Sequence, residues 1–237
     1  MSSLHPVKVL FSQAAEDIAN KYSAPPSAAQ VTPPQLRVAI EQMLEAFTGL
    51  DKTHGEHGVL PYDDVSKLGN QTLDCLADLS LWAERLGLAG RRHDLETVAL
   101  GVAQWMIRHE GELATLEPVV NALAMSANVT QSAKALRELY AGVKDVVEHT
   151  AHGIRADLDK HDPTRPWCIL NFNLGIVATR TQDPSLMREA FGLLERNLPD
   201  AAPGFFEEGL KQAQKQVYGP EVRAIMLEYF NKWTVRH

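Results

Sequence analysis

Strand patterns are missing from this chain. No run of β-branched residues alternates with polar ones between turn signals, which excludes sandwiches and barrels. Cysteine is scarce, at two in 237 residues. Cys75 and Cys168 each fall inside an apolar helical pattern, so they read as free thiols in a reducing compartment rather than a disulfide. No apolar run reaches the length of a membrane span. The opening Met-Ser-Ser-Leu-His-Pro-Val-Lys lacks the basic, apolar, small-residue order of a secretory signal, and a cytoplasmic location is expected. Basic clusters are absent too: 23 Lys and Arg stand against 30 Asp and Glu, for a net charge of −7. Such a chain is poorly suited to a phosphate backbone, so no nucleic acid is expected as a partner. A nucleophile elbow, a phosphate-cradling glycine loop and a Cys-x-x-Cys pair are likewise missing.

What is present is apolar residues at helical spacing, 45 % of the chain. Pro6 to Tyr22 reads as a first helix, followed by the linker Ser-Ala-Pro-Pro-Ser-Ala-Ala-Gln. Thr32-Pro33-Pro34 caps and opens a second helix that runs through Phe47. A non-helical piece from Gly49 to Pro61 is expected next. Asp63 to Gly87 reads as a long helix, Arg91-Arg92-His93 as a turn, and Asp94 as the cap of another helix ending at Gly111. Pro118 opens the next, and Thr130 caps a long helix that Gly153 interrupts. Two last helices open near Pro203 and at Pro220.

The most informative stretch is Arg165 to Pro199. Thr164 is placed to cap a helix, and Pro166 suits its first turn, where a missing N–H costs nothing. Trp167, Leu170, Leu174 and Val177 form one apolar face, while Ile169, Phe172 and Ile176 form a second. A helix apolar on two sides is buried on two sides. Asp183-Pro184 then starts a second helix with Met187, Ala190, Phe191 and Leu194 inside. Asn197 and Pro199 end it.

Leu174-Gly175, Phe191 and Pro199 are spaced like the Leu-Gly, aromatic and Pro signature of the tetratricopeptide repeat, a helix–turn–helix unit of 34 residues. The stretch resembles that family over about one repeat. The family's Trp falls here on Asn171, its Tyr on Ala178 and its small second-helix residue on Met187. Glycines at 69, 101, 142, 175 and 209 lie 32, 41, 33 and 34 residues apart, which suggests irregular repetition. The resemblance implies a concave binding surface made by Ile169, Phe172, Ile176, Thr179 and Arg180. An apolar stripe ending in a cation would suit an apolar, acidic segment.

Other constellations carry less. His54, Glu56 and His57 lie on one Gly-rich stretch with Asp51, and could supply three metal ligands without a fourth at a familiar spacing. Glu148, His149 and His152 read as one helical segment, but no Glu is followed three residues later by His, as a di-iron bundle requires. Asp157, Asp159, His161 and Asp162 lack the glycine and final glutamate of a calcium loop and read as a solvated turn.

The sequence therefore predicts an all-α fold of about nine to eleven helices, stacked as antiparallel hairpins like an irregular α-solenoid. Residues 1–60 would form an N-terminal hairpin and loop packed on a hairpin array at 61–237. The expected function is non-catalytic binding of a protein or peptide, with no cofactor, no metal and no membrane partner. Homo-oligomerisation is left open. The alternatives are a metal-dependent enzyme at His54, Glu56 and His57, and a small-ligand-binding bundle lined by Trp82, Trp105 and Trp167.

Overall fold

The computed structural model describes residues 4–23, 31–56, 58, 60, 62–157, 162–215 and 218–234. The fold is all-α. Eleven helices and no strand occur among the described residues: α1 (Leu4–Lys21), α2 (Pro33–His54), α3 (Tyr62–Arg85), α4 (Ala89–Arg108), α5 (Glu117–Val129), α6 (Ala133–Glu148), α7 (His152–Arg155), α8 (Pro166–Thr181), α9 (Pro184–Asn197), α10 (Ala202–Lys215) and α11 (Pro220–Thr234). None of them is long and apolar enough to cross a membrane. The chain packs as two compact units that divide inside α5, Met1–Ala122 and Leu123–His237.

In the first unit, α4 packs against both α1 and α3, and α2 packs against α1 and α3. Small residues set these approaches. A Cβ on Gly101 would lie 2.5 Å from Val7, and one on Gly69 would lie 2.3 Å from Met106, so only glycine admits either neighbour at its present distance. In the second unit, α8 packs between α6 and α9, α10 pairs with α11, and α11 also touches α9. Its core is aromatic: Phe191 meets Phe205, Phe206 and Tyr229 edge-on at centroid distances of 6.1, 5.2 and 5.1 Å.

Several helix ends depart from the sequence-based expectation. α2 does not stop before Gly49 but runs on to His54. The extension carries Asp51 inward to Trp105 and His109, and those hydrogen bonds outweigh the roughly 1 kcal/mol that a helical glycine costs. Arg91, Arg92 and His93 are not a turn: α4 has begun by Ala89, and each arginine pairs with an acid one turn away, Asp94 and Glu96. Ser132, not Thr130, caps α6, its hydroxyl accepting from the Ala135 N–H at 3.2 Å. Arg165 rather than Thr164 occupies the cap position of α8, because Thr164 is turned back on Asp162.

Candidate functional site: an aromatic groove beside α8

The groove starts from how α8 begins and ends. Pro166 opens the helix with its fixed φ, and Gln182 closes it in the left-handed region at φ 54°. Asp183 follows in extended conformation, and its carboxylate caps α9 by accepting from the Ser185 N–H at 3.0 Å and the Ser185 hydroxyl at 2.6 Å. The Ser185 hydroxyl is the main reason the Asp183 carboxyl is held below its ordinary range. This tight turn sends α9 back along the Leu170, Leu174 and Val177 face of α8, which is wholly buried.

The other apolar stripe of α8 meets α10. Phe172, half-buried, stacks on Phe205 at 5.4 Å between centroids with 19° between the planes. Gly175 makes room for that ring, since a Cβ there would lie 2.6 Å from it. The two adjacent phenylalanines of α10 divide their work: Phe206 enters the core, fully buried, and Phe205 turns to α8. Beside this pair lies a cavity of about 570 Å³ lined on the α8 side by Phe172, Ile176, Thr179 and Arg180, and on the α10 side by Ala201, Gly204, Phe205, Glu208, Gly209 and Gln212. Met226 and Tyr218 complete it. A Cβ on Gly209 would come within 2.8 Å of the Met226 sulfur, so that glycine lets α11 reach the groove. Ile176 stays 45 % exposed.

Polar groups lie among these apolar walls. The Thr179 hydroxyl is committed to the Gly175 carbonyl at 2.8 Å. Arg180 reaches the C-terminal turn of α5, where its two terminal nitrogens donate to the carbonyls of Ala127 and Thr130. Cations suit that end of a helix, where the last carbonyls have no partner of their own. Burial pushes the Tyr218 hydroxyl pKa up, and the nearby Arg180 charge opposes that in part. Glu208 accepts from the Gln212 amide at 2.7 Å.

Of the five residues singled out in the sequence, the structure brings Phe172, Ile176, Thr179 and Arg180 to this one cavity. Ile169 is half-buried and is not in the lining. The α10 half of the groove carried no sequence signal beyond the helical pattern of Phe205, Phe206 and Leu210. Gly204 is the residue that opens it: nothing lies within 4 Å of where its Cβ would be.

Of the metal-type constellations, one is interrupted in the structure and two fall partly outside the described residues. His54 ends α2 and Glu56 follows it, both exposed, while His57 lies outside the described residues. Asp51 is bonded to Trp105 and His109. α6 stops at Glu148, with His149 as its cap and its ring Nδ1 2.8 Å from the Asp145 carbonyl, whereas His152 opens α7. The helix expected to present both histidines on one face is therefore broken between them, and the Thr150 hydroxyl donates to the Val146 carbonyl. Asp159 and His161 lie outside the described residues, and Asp162 caps a turn by accepting from Thr164. No group of three metal-ligating side chains is assembled among the described residues. The three tryptophans each have their own neighbours. Trp82 meets Tyr22 edge-on, Trp105 stacks on Phe47 at 4.1 Å, and Trp167 is buried at the start of α8.

The first unit holds a polar cluster that the sequence reading missed. His109, 3 % exposed, sits between Asp51 Oδ1 at 2.9 Å and the Gly58 carbonyl at 3.0 Å. Trp105 Nε1 donates to the same Asp51 oxygen at 2.9 Å. The available signal was the four-residue spacing of Trp105 and His109, which puts both on one face at the end of α4. The cluster fastens α2 to α4, and Asp51 also lines a cavity of about 270 Å³ whose lining does not include His109.

Compared with family models, with curated proteins and with solved structures, the chain matches none of them.

Proposed function

We propose that the second unit is a non-catalytic binding module whose groove between α8 and α10 receives an apolar, acidic segment of a protein partner. The observation that supports this most is the exposed Ile176 in a cavity that Phe172, Phe205 and Met226 also line. Large aromatic and aliphatic side chains left at an opening are the usual anchors of interfaces. Arg180 has five N–H donors and commits its two terminal nitrogens to α5, so it can still take a carboxylate. On this reading the tetratricopeptide resemblance of 165–199 is one of layout, with the first helix of successive hairpins, α8 and α10, making the receiving surface. The two free thiols are consistent with a cytoplasmic module.

The volume also favours a second reading, a small apolar ligand, since about 570 Å³ lies within the usual range for such sites. Panning a random peptide library against the parent protein, with counter-selection on an Ile176→Glu variant, separates the two. Ile176 is exposed enough for the variant to fold within about 0.5 kcal/mol of the parent. Recovery of related apolar, acidic peptides that bind the parent alone supports the protein-segment reading. Peptides that bind both forms equally would refute it.

A further inference from the structure

We infer that the occupant of the α8–α10 groove is an amphipathic α-helix, with an acidic side chain directed to Arg180 and a neutral or basic one to Glu208. The inference rests on the groove reading above and goes beyond it in fixing the partner's conformation and charge pattern. Both walls of the groove are helices, and the amide and carbonyl groups inside a helix bond to their own chain. Of the polar side chains in the lining, Thr179 is committed to Gly175, Glu208 and Gln212 are bonded to each other, and Arg180 and Tyr218 remain, too few to pair a whole extended backbone. An extended peptide would therefore bring its own N–H and C=O groups into an apolar slot with no ladder to join. Each buried backbone group left without a partner costs about 1–3 kcal/mol. A helical occupant carries those bonds internally and offers only side chains, which is the helix-in-groove mode.

Two further observations fit a helix. Ala201 just before α10 and Gly204 in its first turn both line the groove, and no atom lies within 4 Å of the Gly204 Cβ position. That wall is low, so a second backbone can come close, while Phe172 and Ile176 on the opposite wall give apolar anchors one helical turn apart. The charges are asymmetric as well. Arg180, held at the carbonyl end of α5, and Glu208 on α10 present opposite signs. A partner helix complementary to both presents an acid to one and avoids an acid at the other.

The test uses labelled peptides of about four turns, long enough to form a helix on binding. One is an amphipathic Leu/Glu/Gln sequence, one has the same composition with two central prolines, and one has every Glu replaced by Gln. Fluorescence anisotropy is read on the full-length protein and on its Gly204→Leu and Arg180→Gln variants. The inference predicts that the amphipathic peptide binds at least tenfold more tightly than the proline-broken one. It also predicts that Gly204→Leu abolishes binding and that Arg180→Gln removes the preference for Glu over Gln peptides. Because Arg180 also holds α5, the thermal midpoint of that variant is checked, and Arg180→Lys should restore part of the preference. Equal binding of the proline-broken peptide would overturn the helical occupant while leaving the groove reading intact. Binding that survives Gly204→Leu would overturn the inference and the groove reading together.

Discussion

Helices α4 and α8 have similar sequences in one respect and different fates. Both are apolar around most of their circumference. In α4 Leu95, Val98, Val102, Trp105 and Met106 are fully buried and Leu100 is half-buried, because α1 and α3 pack on it, Phe47 of α2 stacks on Trp105 and Val7 fits against Gly101. In α8 the Trp167, Leu170, Leu174 and Val177 face is buried, but on the second stripe Phe172, stacked on Phe205, is half-buried and Ile176 remains exposed. The difference lies in the neighbours rather than in the helix. A glycine in α4 is filled by a side chain from α1, whereas Gly204 of α10 faces open space. An all-apolar helix is thus finished in one unit and left unfinished in the other, and the unfinished stripe is where binding is proposed.

The largest expected effect lies on the finished side. Trp105→Ala should cost about 3–5 kcal/mol, from lost transfer energy and a cavity beneath Phe47. Chemical denaturation followed by circular dichroism reads it as a large drop in the urea midpoint. Asp51→Ala should come next, at about 1–3 kcal/mol, because it strips the buried His109 and Trp105 of their shared acceptor. On the unfinished side, Phe172→Ala should cost only about 1 kcal/mol, the scale of one half-exposed aromatic pair. A loss there as large as at Trp105 would mean that the α8 stripe is covered, and would break the contrast.

A smaller effect depends on pH. Glu189 is held below its ordinary value of 4.5, first by the Lys144 ammonium and then by the Tyr140 hydroxyl. A carboxylate depressed in the folded state adds stability above its unfolded value and loses that contribution as pH falls through the lowered folded value. Glu189→Gln should therefore lower the melting temperature slightly at neutral pH. The difference from the parent should close at pH values below the ordinary glutamate range. The smallest effect should run the other way: Gly204→Ala should raise stability by up to about 1 kcal/mol, since alanine is the better helix former and nothing occupies its Cβ position.

How much of this was legible beforehand follows from range. Local patterns carried the all-α class, the Asp183-Pro184 start and the buried Trp167, Leu170, Leu174 and Val177 face of α8, whereas the burial expected for its second stripe does not hold: Ile169 and Phe172 are half-buried and Ile176 is exposed. The set Ile169, Phe172, Ile176, Thr179 and Arg180 is implied by the family resemblance, and all but Ile169 line the one cavity. What escaped was decided across the chain. α2 passes Gly49 because Trp105 and His109 are waiting for Asp51, more than fifty residues away in sequence. α6 ends at Glu148 and α7 opens at His152, a break that no proline announces and that falls ahead of Gly153, where the interruption is expected. The α10 wall depends on Gly204 having no neighbour, and an absence of contact leaves no mark in a sequence.

The central claim is that the apolar surface left open on α8 receives a partner while the first unit does not. It is tested most directly by nuclear magnetic resonance of the full-length protein labelled at isoleucine and methionine methyl groups, titrated with a peptide recovered by panning. The account predicts shifts at Ile176 and Met226 and none at Ile18, Ile40 or Met106 of the first unit. Shifts confined to the first unit, or an unmoved Ile176 at saturation, would contradict it.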